Sequence, residues 1–281
     1  MACKDCVSGT LHEGTPVGRE ETVHGRITYV TEPPNGAAAK GIVVIIPDAF
    51  GWKLVNSRIL ADNYAERCQV TVYMPDFMDG YVLDASLMDT FHTITDSQTP
   101  IYYKIFPGFR VISHMVPFLY YQRQSITEPR VFDFFTNLRE STTLPIGAAG
   151  FCWGGKFVVL LCADSEKTSS GKSLIDAGYT AHPSNLVMPT DIDNVKLPLC
   201  ISNGTLDIQL KPAGMETIKG IFKEKEKEFG TGKFEMNVIE GARHGFAVRG
   251  NPGDEEEKKR GQLAEDQAVD FFKRWVVQRK A

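Results

Sequence analysis

The stretch that decides the fold is Leu144-Pro-Ile-Gly-Ala-Ala-Gly-Phe-Cys-Trp-Gly-Gly-Lys156. A short apolar run reaches Gly150, Cys152 stands between Gly150 and Gly154, and an apolar helical pattern continues from Phe157. The glycines remove side chains that would collide where a strand turns sharply into a helix. The sequence therefore predicts a strand, a tight turn and a helix, with Cys152 at the apex, where the helix dipole favours a thiolate. Taken alone, residues 150–154 fit a buried cysteine in a glycine-rich turn equally well.

The composition is that of a globular protein with a sizeable core. The chain has 281 residues, of which 42% are hydrophobic and 23% are charged. A net charge of −4, with Lys and Arg spread along the chain, argues against nucleic acid and membrane surfaces as partners. No apolar run approaches the about 20 residues that span a bilayer, and no signal-peptide pattern opens the chain, so we expect a cytoplasmic protein.

The cysteines are too few and too irregularly spaced for a disulfide scaffold, since the chain has 6 of them. Cys3 and Cys6 form a C-x-x-C pair near the N-terminus. The nearest histidines, His12 and His24, stand at spacings that no standard zinc finger uses. We therefore expect no metal site and no cofactor.

The order of apolar segments predicts an α/β fold, with a mostly parallel central sheet and helices on both faces. Residues 41–47 are a continuous β-branched run, which is typical of a strand buried on both faces. A helix that Asn56 caps and that runs to about Cys68, followed by a strand over residues 70–74, completes a βαβ unit. Residues 1–20 form a surface arm and residues 23–30 an edge strand in this interpretation. We expect a single domain over residues 1–281, because no linker or repeat interrupts it.

Residues 77–121 depart from this alternation of strands and helices. They are dense in aromatic and aliphatic side chains without one sustained period, and prolines interrupt them. They fit either a pair of short core helices or a cap that forms a pocket wall over the carboxyl edge of the sheet. We favour the cap, whose predicted wall consists of Phe91, Tyr102, Tyr103, Phe106 and Phe109.

Two further predicted strands end in loops that carry candidate partners for Cys152. Asp207 follows the strand over residues 197–202, and His244 follows the strand over residues 233–239. The carboxyl ends of parallel strands lie at one edge, so a base and an acid can converge on the thiol there. A histidine can take the thiol proton, and an aspartate can fix the histidine tautomer. Asp207 could instead cap the next helix, and His182 is the competing histidine.

Backbone N–H groups are expected to stabilise the oxyanion of the tetrahedral intermediate. One N–H is that of the residue after the nucleophile, Trp153, and the other comes from the loop after the first core strand, where Ala49 is best placed.

The sequence resembles the dienelactone hydrolase family, in its longer fungal form, over about residues 20–278. The resemblance rests on Gly-Phe-Cys-Trp-Gly-Gly at 150–155, Gly-Thr-Leu-Asp at 204–207 and Arg-His-Gly-Phe at 243–246, with Pro-Asp-Ala-Phe-Gly at 47–51 in support. It implies an α/β-hydrolase fold in which the nucleophile, acid and histidine are Cys152, Asp207 and His244.

The resemblance also implies residues around this triad. Members of the family place an acidic residue after the first core strand, where it accepts a contact from the resting cysteine; here that residue is Asp48, whereas many members have Glu. The carboxylate-binding arginine falls on Arg249, one position later than in the bacterial form. The remaining predicted substrate-binding residues are Arg110 or Arg123, Trp52 and Tyr103.

We therefore expect a cysteine hydrolase of the carboxymethylenebutenolidase type, which cleaves a lactone or activated ester through a thioester. A thiolate is itself a good leaving group, so the departing oxygen must be well stabilised and amides should be poor substrates. A thioesterase or acyltransferase is one alternative, and a non-catalytic small-molecule-binding or redox-responsive protein is another. The expected partner is a small-molecule substrate, and the chain is expected to be a monomer or a homodimer.

Overall fold

The computed structural model of the chain describes residues 9–10, 12–88, 90, 94 and 100–278. Within these residues the strands are β1 (Arg19–Val23), β2 (Arg26–Thr31), β3 (Ile42–Ile46), β4 (Thr71–Pro75), β5 (Ile146–Phe151), β6 (Ala177–Ala181), β7 (Leu199–Gly204) and β8 (Phe234–Ile239). The helices are α1 (Val55–Cys68), α2 (Ile101–Tyr121), α3 (Gln124–Ser141), α4 (Trp153–Cys162), α5 (Thr190–Asp193), α6 (Pro212–Phe229), α7 (Phe246–Arg249) and α8 (Glu255–Phe272), and a π-helical turn at Lys273–Val277 follows α8. Cys3 and Cys6 of the C-x-x-C pair and Phe91 of the predicted pocket wall lie outside the described residues.

The strands form one mixed sheet in the order β1-β2-β4-β3-β5-β6-β7-β8. The pairs from β4 to β8 are parallel, and the pairs that β2 makes with β1 and β4 are antiparallel. The connection from β3 through α1 to β4 runs across the sheet in the direction opposite to the later connections. Because such crossovers are right-handed, α1 lies on one face and α4 and α6 lie on the other. The predicted α/β fold is confirmed.

The core strands are buried as their composition predicts. All five residues of β3 are buried, as are all six of β5. The register places Ile46 of β3 beside Gly150 of β5, and Phe151 beside Ala181 of β6. The carboxyl ends of these strands therefore meet at one edge of the sheet, and that edge carries Cys152.

The predicted edge strand over residues 23–30 is a hairpin instead. β1 and β2 pair with each other across His24 and Gly25, whose φ angles are 46° and 79°. A two-residue turn with positive φ at both positions matches the twist of the strands it joins.

The described part of the N-terminal arm is hydrogen-bonded to the body of the protein. The N–H of Thr10 donates to the carbonyl of Arg249 at 3.0 Å, and the N–H of His12 donates to the Asn56 side chain at 2.9 Å. The Asn56 amide donates in turn to the carbonyls of Thr10 and Val248, at 2.8 Å each. Asn56 lies inside α1 and holds the arm against α7, so its predicted role as a helix cap is wrong.

The segment predicted to be broken by prolines contains one long helix. α2 has 21 residues and includes Pro107 and Pro117. Its C-terminal end is fixed by tertiary contacts, since the Gln122 amide donates to the carbonyls of Met78 and Tyr81 at 2.7 and 3.1 Å. Among the described helices, none, α2 included, is both long and apolar enough to span a membrane.

The aromatic side chains of α2 face outward rather than into a pocket. Tyr102, Tyr103, Phe106 and Phe109 are between 62% and 80% exposed. The opposite side of α2 is buried through Val111, Met115 and Phe118. The insert lies near the active-site edge as predicted, but the expectation that these four aromatic residues line a pocket is not met.

Candidate active site

Cys152 occupies a strained turn between β5 and α4. Its φ and ψ are 52° and −112°, and its side chain is almost fully buried. This conformation is rare for a residue other than glycine, and it aims the side chain out of the strand-to-helix path. A Cβ at Gly150 would lie 2.6 Å from the carbonyl oxygen of Gly154, and a Cβ at Gly154 would lie 2.0 Å from the carbonyl oxygen of Ile46. The two glycines are therefore required for strand and helix to approach this closely.

The loop after β6 holds the backbone of Cys152 on both sides. The N–H of Cys152 donates to the carbonyl of Ala181 at 3.3 Å, and its carbonyl accepts from the N–H of Ser184 at 2.9 Å. The Cys152 sulfur lies 3.9 Å from the hydroxyl oxygen of buried Ser184. Sequence reasoning did not select Ser184. The available signal was its position two residues after His182, at the end of the strand beside the Cys152 strand.

Asp207 and His244 form a buried pair at the ends of β7 and β8. Nδ1 of His244 lies 2.9 Å from Oδ2 of Asp207, and both side chains are fully buried. The other carboxylate oxygen of Asp207 accepts the N–H groups of Gln209 and Leu210 at 2.7 and 3.3 Å. These contacts fix the carboxylate in its own loop, and α6 begins at Pro212 with no side-chain hydrogen bond capping it. The alternative that Asp207 caps this helix is therefore wrong.

His182 packs between the Cys152 strand and His244. Its ring centroid lies 5.0 Å from that of His244 and 5.5 Å from that of Phe246, both edge to face, and 6.1 Å from that of Phe151. Within the described residues neither of its ring nitrogens has a hydrogen-bond partner, although the ring is fully buried. Burial, together with the positive charges of His244 and Arg249, holds the pKa of His182 well below its usual value. His182 is thus a neutral packing neighbour of His244, and Asp207 is bonded to His244.

The N–H of Ala49 lies in the loop after β3, and that of Trp153 lies at the first residue of α4. These two segments are close together because Gly154 packs against the end of β3. Within the described residues neither N–H donates a hydrogen bond. The Trp153 side chain is fixed separately, because its indole N–H donates to the carbonyl of Gln122 at 3.3 Å and its ring packs edge-on against Phe118. This contact joins the C-terminal end of α2 to the residue that follows Cys152.

The match to known families covers nearly the whole chain. A model of the dienelactone hydrolase family matches residues 27–276. The chain belongs to this family. Dienelactone hydrolases and their carboxymethylenebutenolidase homologues act on ester bonds, and this chain is a hydrolase of the same kind.

Individual relatives agree with the family match. The hydrolase pyvD of Aspergillus violaceofuscus is 28% identical over 87% of this chain and 84% of its own length. The hydrolase tropI of Talaromyces stipitatus is 28% identical over 98% of this chain and 96% of its own length. A solved dienelactone hydrolase from Anabaena variabilis covers 94% of this chain and 100% of its own, with a TM-score of 0.54 at 12% identity, which is a likeness of fold.

Asp48 and Arg249 were assigned by resemblance to the family, and the structure pairs them with each other. Nε of Arg249 donates to Oδ2 of Asp48 at 2.8 Å, and both side chains are fully buried. Oδ1 of Asp48 accepts the N–H of Phe50 at 3.0 Å, and the Arg249 guanidinium lies 5.1 Å from the centre of the Phe50 ring. Asp48 thus contacts Phe50 and Arg249, and Arg249 binds a carboxylate of its own chain; the contact of Asp48 with the resting Cys152 stays a prediction.

The other predicted substrate-binding residues are Trp52, Tyr103, Arg110 and Arg123, and each contacts neighbours of its own. Trp52 is buried, and the Arg58 guanidinium stacks 4.9 Å from its ring. Tyr103 is 62% exposed and lies against Tyr102. The guanidinium of Arg110 donates to Ser86 and Thr90 at 2.5 and 3.1 Å, and that of Arg123 lies over Tyr120. None of these contacts is with Cys152, and the assignment of these four residues to substrate binding stays a prediction.

In the part of the chain that the structure describes, no three His, Cys, Asp or Glu side chains cluster closely enough to hold a metal ion. The described cysteines other than Cys152 are core residues. Burial raises the pKa of the Cys68 thiol to about 12, and it also raises the pKa values of Cys162 and Cys200. These three thiols are therefore protonated near neutral pH.

Proposed function

We propose that the chain hydrolyses a lactone or activated ester through a thioester on Cys152, with His244 as proton carrier and Asp207 as its partner. The observation that carries the proposal is that the strained turn at Cys152 and the buried Asp207–His244 pair follow β5, β7 and β8, strands of one parallel sheet, at their carboxyl ends. Strain of this kind persists where the surrounding structure enforces it, and it is concentrated at active sites. The strand order β5, β7, β8 supports the proposal further, because it is the order nucleophile, acid, histidine of an α/β-hydrolase.

The first half of the reaction forms the acyl-enzyme. Nε2 of His244 takes the proton of the Cys152 thiol, and the sulfur bonds to the carbonyl carbon of the substrate. The carbonyl oxygen becomes an oxyanion, which the N–H groups of Ala49 and Trp153 stabilise. The carbon–oxygen bond to the leaving group then breaks, and that oxygen takes the proton from Nε2, either as it departs or as the enolate or phenolate just formed, so that His244 is neutral again.

The second half releases the acid. A water molecule gives a proton to Nε2 of His244 while its oxygen bonds to the acyl carbon, and collapse of this intermediate breaks the carbon–sulfur bond. The thiolate of Cys152 then recovers the proton. Asp207 accepts a hydrogen bond from Nδ1 throughout, which keeps Nε2 as the basic nitrogen and stabilises the imidazolium.

Ser184 has a supporting role in this scheme. Its hydroxyl oxygen is 3.9 Å from the Cys152 sulfur, and the hydroxyl can turn to donate a hydrogen bond once the thiolate forms. A hydrogen bond to the charged form favours that form, so Ser184 would assist ionisation without taking part in proton transfer.

Acyl transfer to Cys152 is tested by mixing the protein with an enol-lactone, an aryl ester and a thioester in separate reactions and measuring its intact mass. We expect one acyl adduct, located on Cys152 by peptide mapping, and faster turnover of the lactone or aryl ester than of the thioester. Cys152→Ala should give neither adduct nor turnover. Cys68→Ala is the matched control and should behave as the wild type, because the Cys68 thiol is protonated in the core.

Four outcomes would contradict the proposal or change its substrate class. Full turnover by Cys152→Ala would remove Cys152 as the nucleophile. Preferred turnover of the thioester would favour a thioesterase, and transfer of the acyl group to an added alcohol or amine would favour an acyltransferase. Equal rates of iodoacetamide alkylation at Cys152 in the wild type and in His244→Ala would favour a non-catalytic binding protein.

A further inference from the structure

One face of α2 is a mostly apolar surface, with Ser113 as a polar member, that no described residue covers. Ten large side chains on this helix are between 52% and 80% exposed, and we call the nine of them other than Tyr103 the α2 stripe. At 3.6 residues per turn these positions fall within about 140° of one side of the helix. The members of the stripe are Ile101, Tyr102, Ile105, Phe106, Phe109, Ile112, Val116, Leu119 and Tyr120.

The helix is apolar on two opposite sides. Val111, Met115 and Phe118 bury one side against the protein, and the α2 stripe lies on the other. Exposing an apolar surface of this size to water is unfavourable. The stripe is therefore half of an interface rather than an ordinary surface.

We propose that the α2 stripe is the interface of a homodimer, in which it packs against the same stripe of a second copy of this chain. The exposed fractions of its nine side chains correspond to roughly 1,000 Å² of accessible area, compared with the about 800 Å² that each partner contributes to a standard interface. The largest apolar patch on a monomer is typically about 300–600 Å². A second copy thus supplies an apolar surface of matching size.

Charge also fits a second copy. In a two-fold interface each residue near the axis meets its own copy, so a charge there would be repelled by itself. The α2 stripe contains no charged residue, and α2 as a whole contains no Asp or Glu. Its two cations, Lys104 and Arg110, lie outside the stripe, and Arg110 donates to Ser86 and Thr90.

A lipid surface fits less well. Helices that lie on membranes combine an apolar face with a polar face rich in Lys and Arg, and these cations bind the acidic headgroups. The buried part of α2 consists of Val111, Met115 and Phe118, and the helix carries only two cations, Lys104 and Arg110, so it offers no face rich in Lys and Arg. The net charge of −4 adds repulsion from an acidic bilayer.

Sedimentation equilibrium tests the proposal directly. We expect the wild type to have twice the 31.2 kDa mass of the chain, and Phe109→Glu and Ile112→Glu to sediment at the mass of one chain. Both residues are more than half exposed, so the substitutions should leave thermal melting near that of the wild type. Ile27→Glu is the control, because Ile27 is 54% exposed on β2 and should leave the dimer intact.

Disulfide formation gives an independent readout. Ile112 lies at the middle of α2, so in either orientation of a two-fold pair its copy is close by. Ile112→Cys should form a disulfide-linked dimer under mild oxidation, and Ile27→Cys should give no more linked dimer than the wild type.

Several results would overturn the proposal. A wild type that stays at the mass of one chain from about 1 to 100 μM would exclude a dimer of micromolar affinity. A dimer that survives both Phe109→Glu and Ile112→Glu would place its interface elsewhere. Cosedimentation of a monomer with phosphatidylcholine–phosphatidylserine vesicles, abolished by Phe109→Glu, would assign the α2 stripe to membrane binding instead.

Discussion

At the scale of single residues, Asp207 offers the clearest separation of chemistry from stability. Asp207→Asn keeps the size of the side chain and one acceptor oxygen for its loop, but its amide can hold His244 in the wrong tautomer. We expect turnover of an aryl ester to fall about 10³–10⁴-fold, with a melting temperature close to that of the wild type. Asp193→Asn, at an exposed acid, is the control and should change neither quantity. Undiminished turnover in Asp207→Asn would dismiss the proposed role of the carboxylate.

His182 should make stability fall on acidification. Its folded-state pKa lies well below the ordinary value of 6.5, so below pH 6.5 the unfolded chain binds a proton that the folded chain does not. Stability is therefore complete above pH 6.5 and decreases as the pH falls towards the folded pKa, by about 1.4 kcal/mol per pH unit at most. We expect urea titrations between pH 7.5 and 5.5 to show this slope.

The slope should be smaller in His182→Asn, because asparagine does not titrate and tolerates the positive φ of 41° at this position. Part of the slope should persist, since burial also lowers the pKa of His24. An identical pH dependence in the variant and the wild type would show that His182 is not the group responsible.

Single residues differ in how far the sequence could place them. The chain order and strand spacing put Asp207 and His244 at neighbouring strand ends, and the two side chains lie 2.9 Å apart. The pairing of Asp48 with Arg249 could not be predicted in this way. These residues are 201 positions apart, and no local pattern in the sequence indicates that α7 packs against both the end of β3 and the arm. The family resemblance predicted a role for each of the two residues but not the ion pair between them.

At the scale of elements, the junction of β5 and α4 depends on close packing at Gly154. A Cβ there would lie 2.0 Å from the backbone oxygen of Ile46, so Gly154→Ala requires the helix or the strand to move. We expect a loss of at least about 1–3 kcal/mol of unfolding free energy, the usual cost of overpacking, and a large loss of turnover. Thermal melting and ester hydrolysis measure the two effects.

Gly220→Ala is the matched control for this substitution. Gly220 lies in α6, and a Cβ added to it would have no other atom within 4 Å, so alanine there should stabilise the helix by about 0.5–1 kcal/mol. If Gly154→Ala melted at the wild-type temperature and stayed active, the tight junction would not be needed to position Cys152.

The elements themselves were predictable where one local rule dominated. The β-branched run over residues 41–47 predicted β3, and the helix predicted to end at about Cys68 is α1. The hairpin of β1 and β2 was missed because its turn, His24-Gly25, is only two residues long. α2 was missed because interior prolines normally end helices, each costing about 3 kcal/mol. The contacts of Gln122 and Phe118 that retain α2 as one helix are made with residues distant in sequence.

At the scale of the whole molecule, the Asp48–Arg249 ion pair joins the end of β3 to α7, while the Arg249 carbonyl accepts a hydrogen bond from Thr10 of the arm. The residues of this one buried pair thus connect the carboxyl end of β3, helix α7 and the N-terminal arm. Removing one partner of such a pair leaves an uncompensated buried charge, which typically costs about 3–5 kcal/mol.

The pair is therefore expected to act on stability before it acts on substrate choice. Arg249→Met and Asp48→Asn should each lower the unfolding free energy by about 3–5 kcal/mol, and the double variant should lose clearly less than the sum of the two, because neither charge then remains buried alone. Urea titration of the four proteins measures this coupling. The ratio of kcat/KM for a carboxylate-bearing lactone to that for a neutral one supplies the second readout. An arginine that binds substrate would change this ratio by tenfold or more, whereas one occupied by Asp48 lowers both values together. If Arg249→Met kept the wild-type unfolding free energy but lowered this kcat/KM ratio tenfold or more, Arg249 would be a substrate-binding residue.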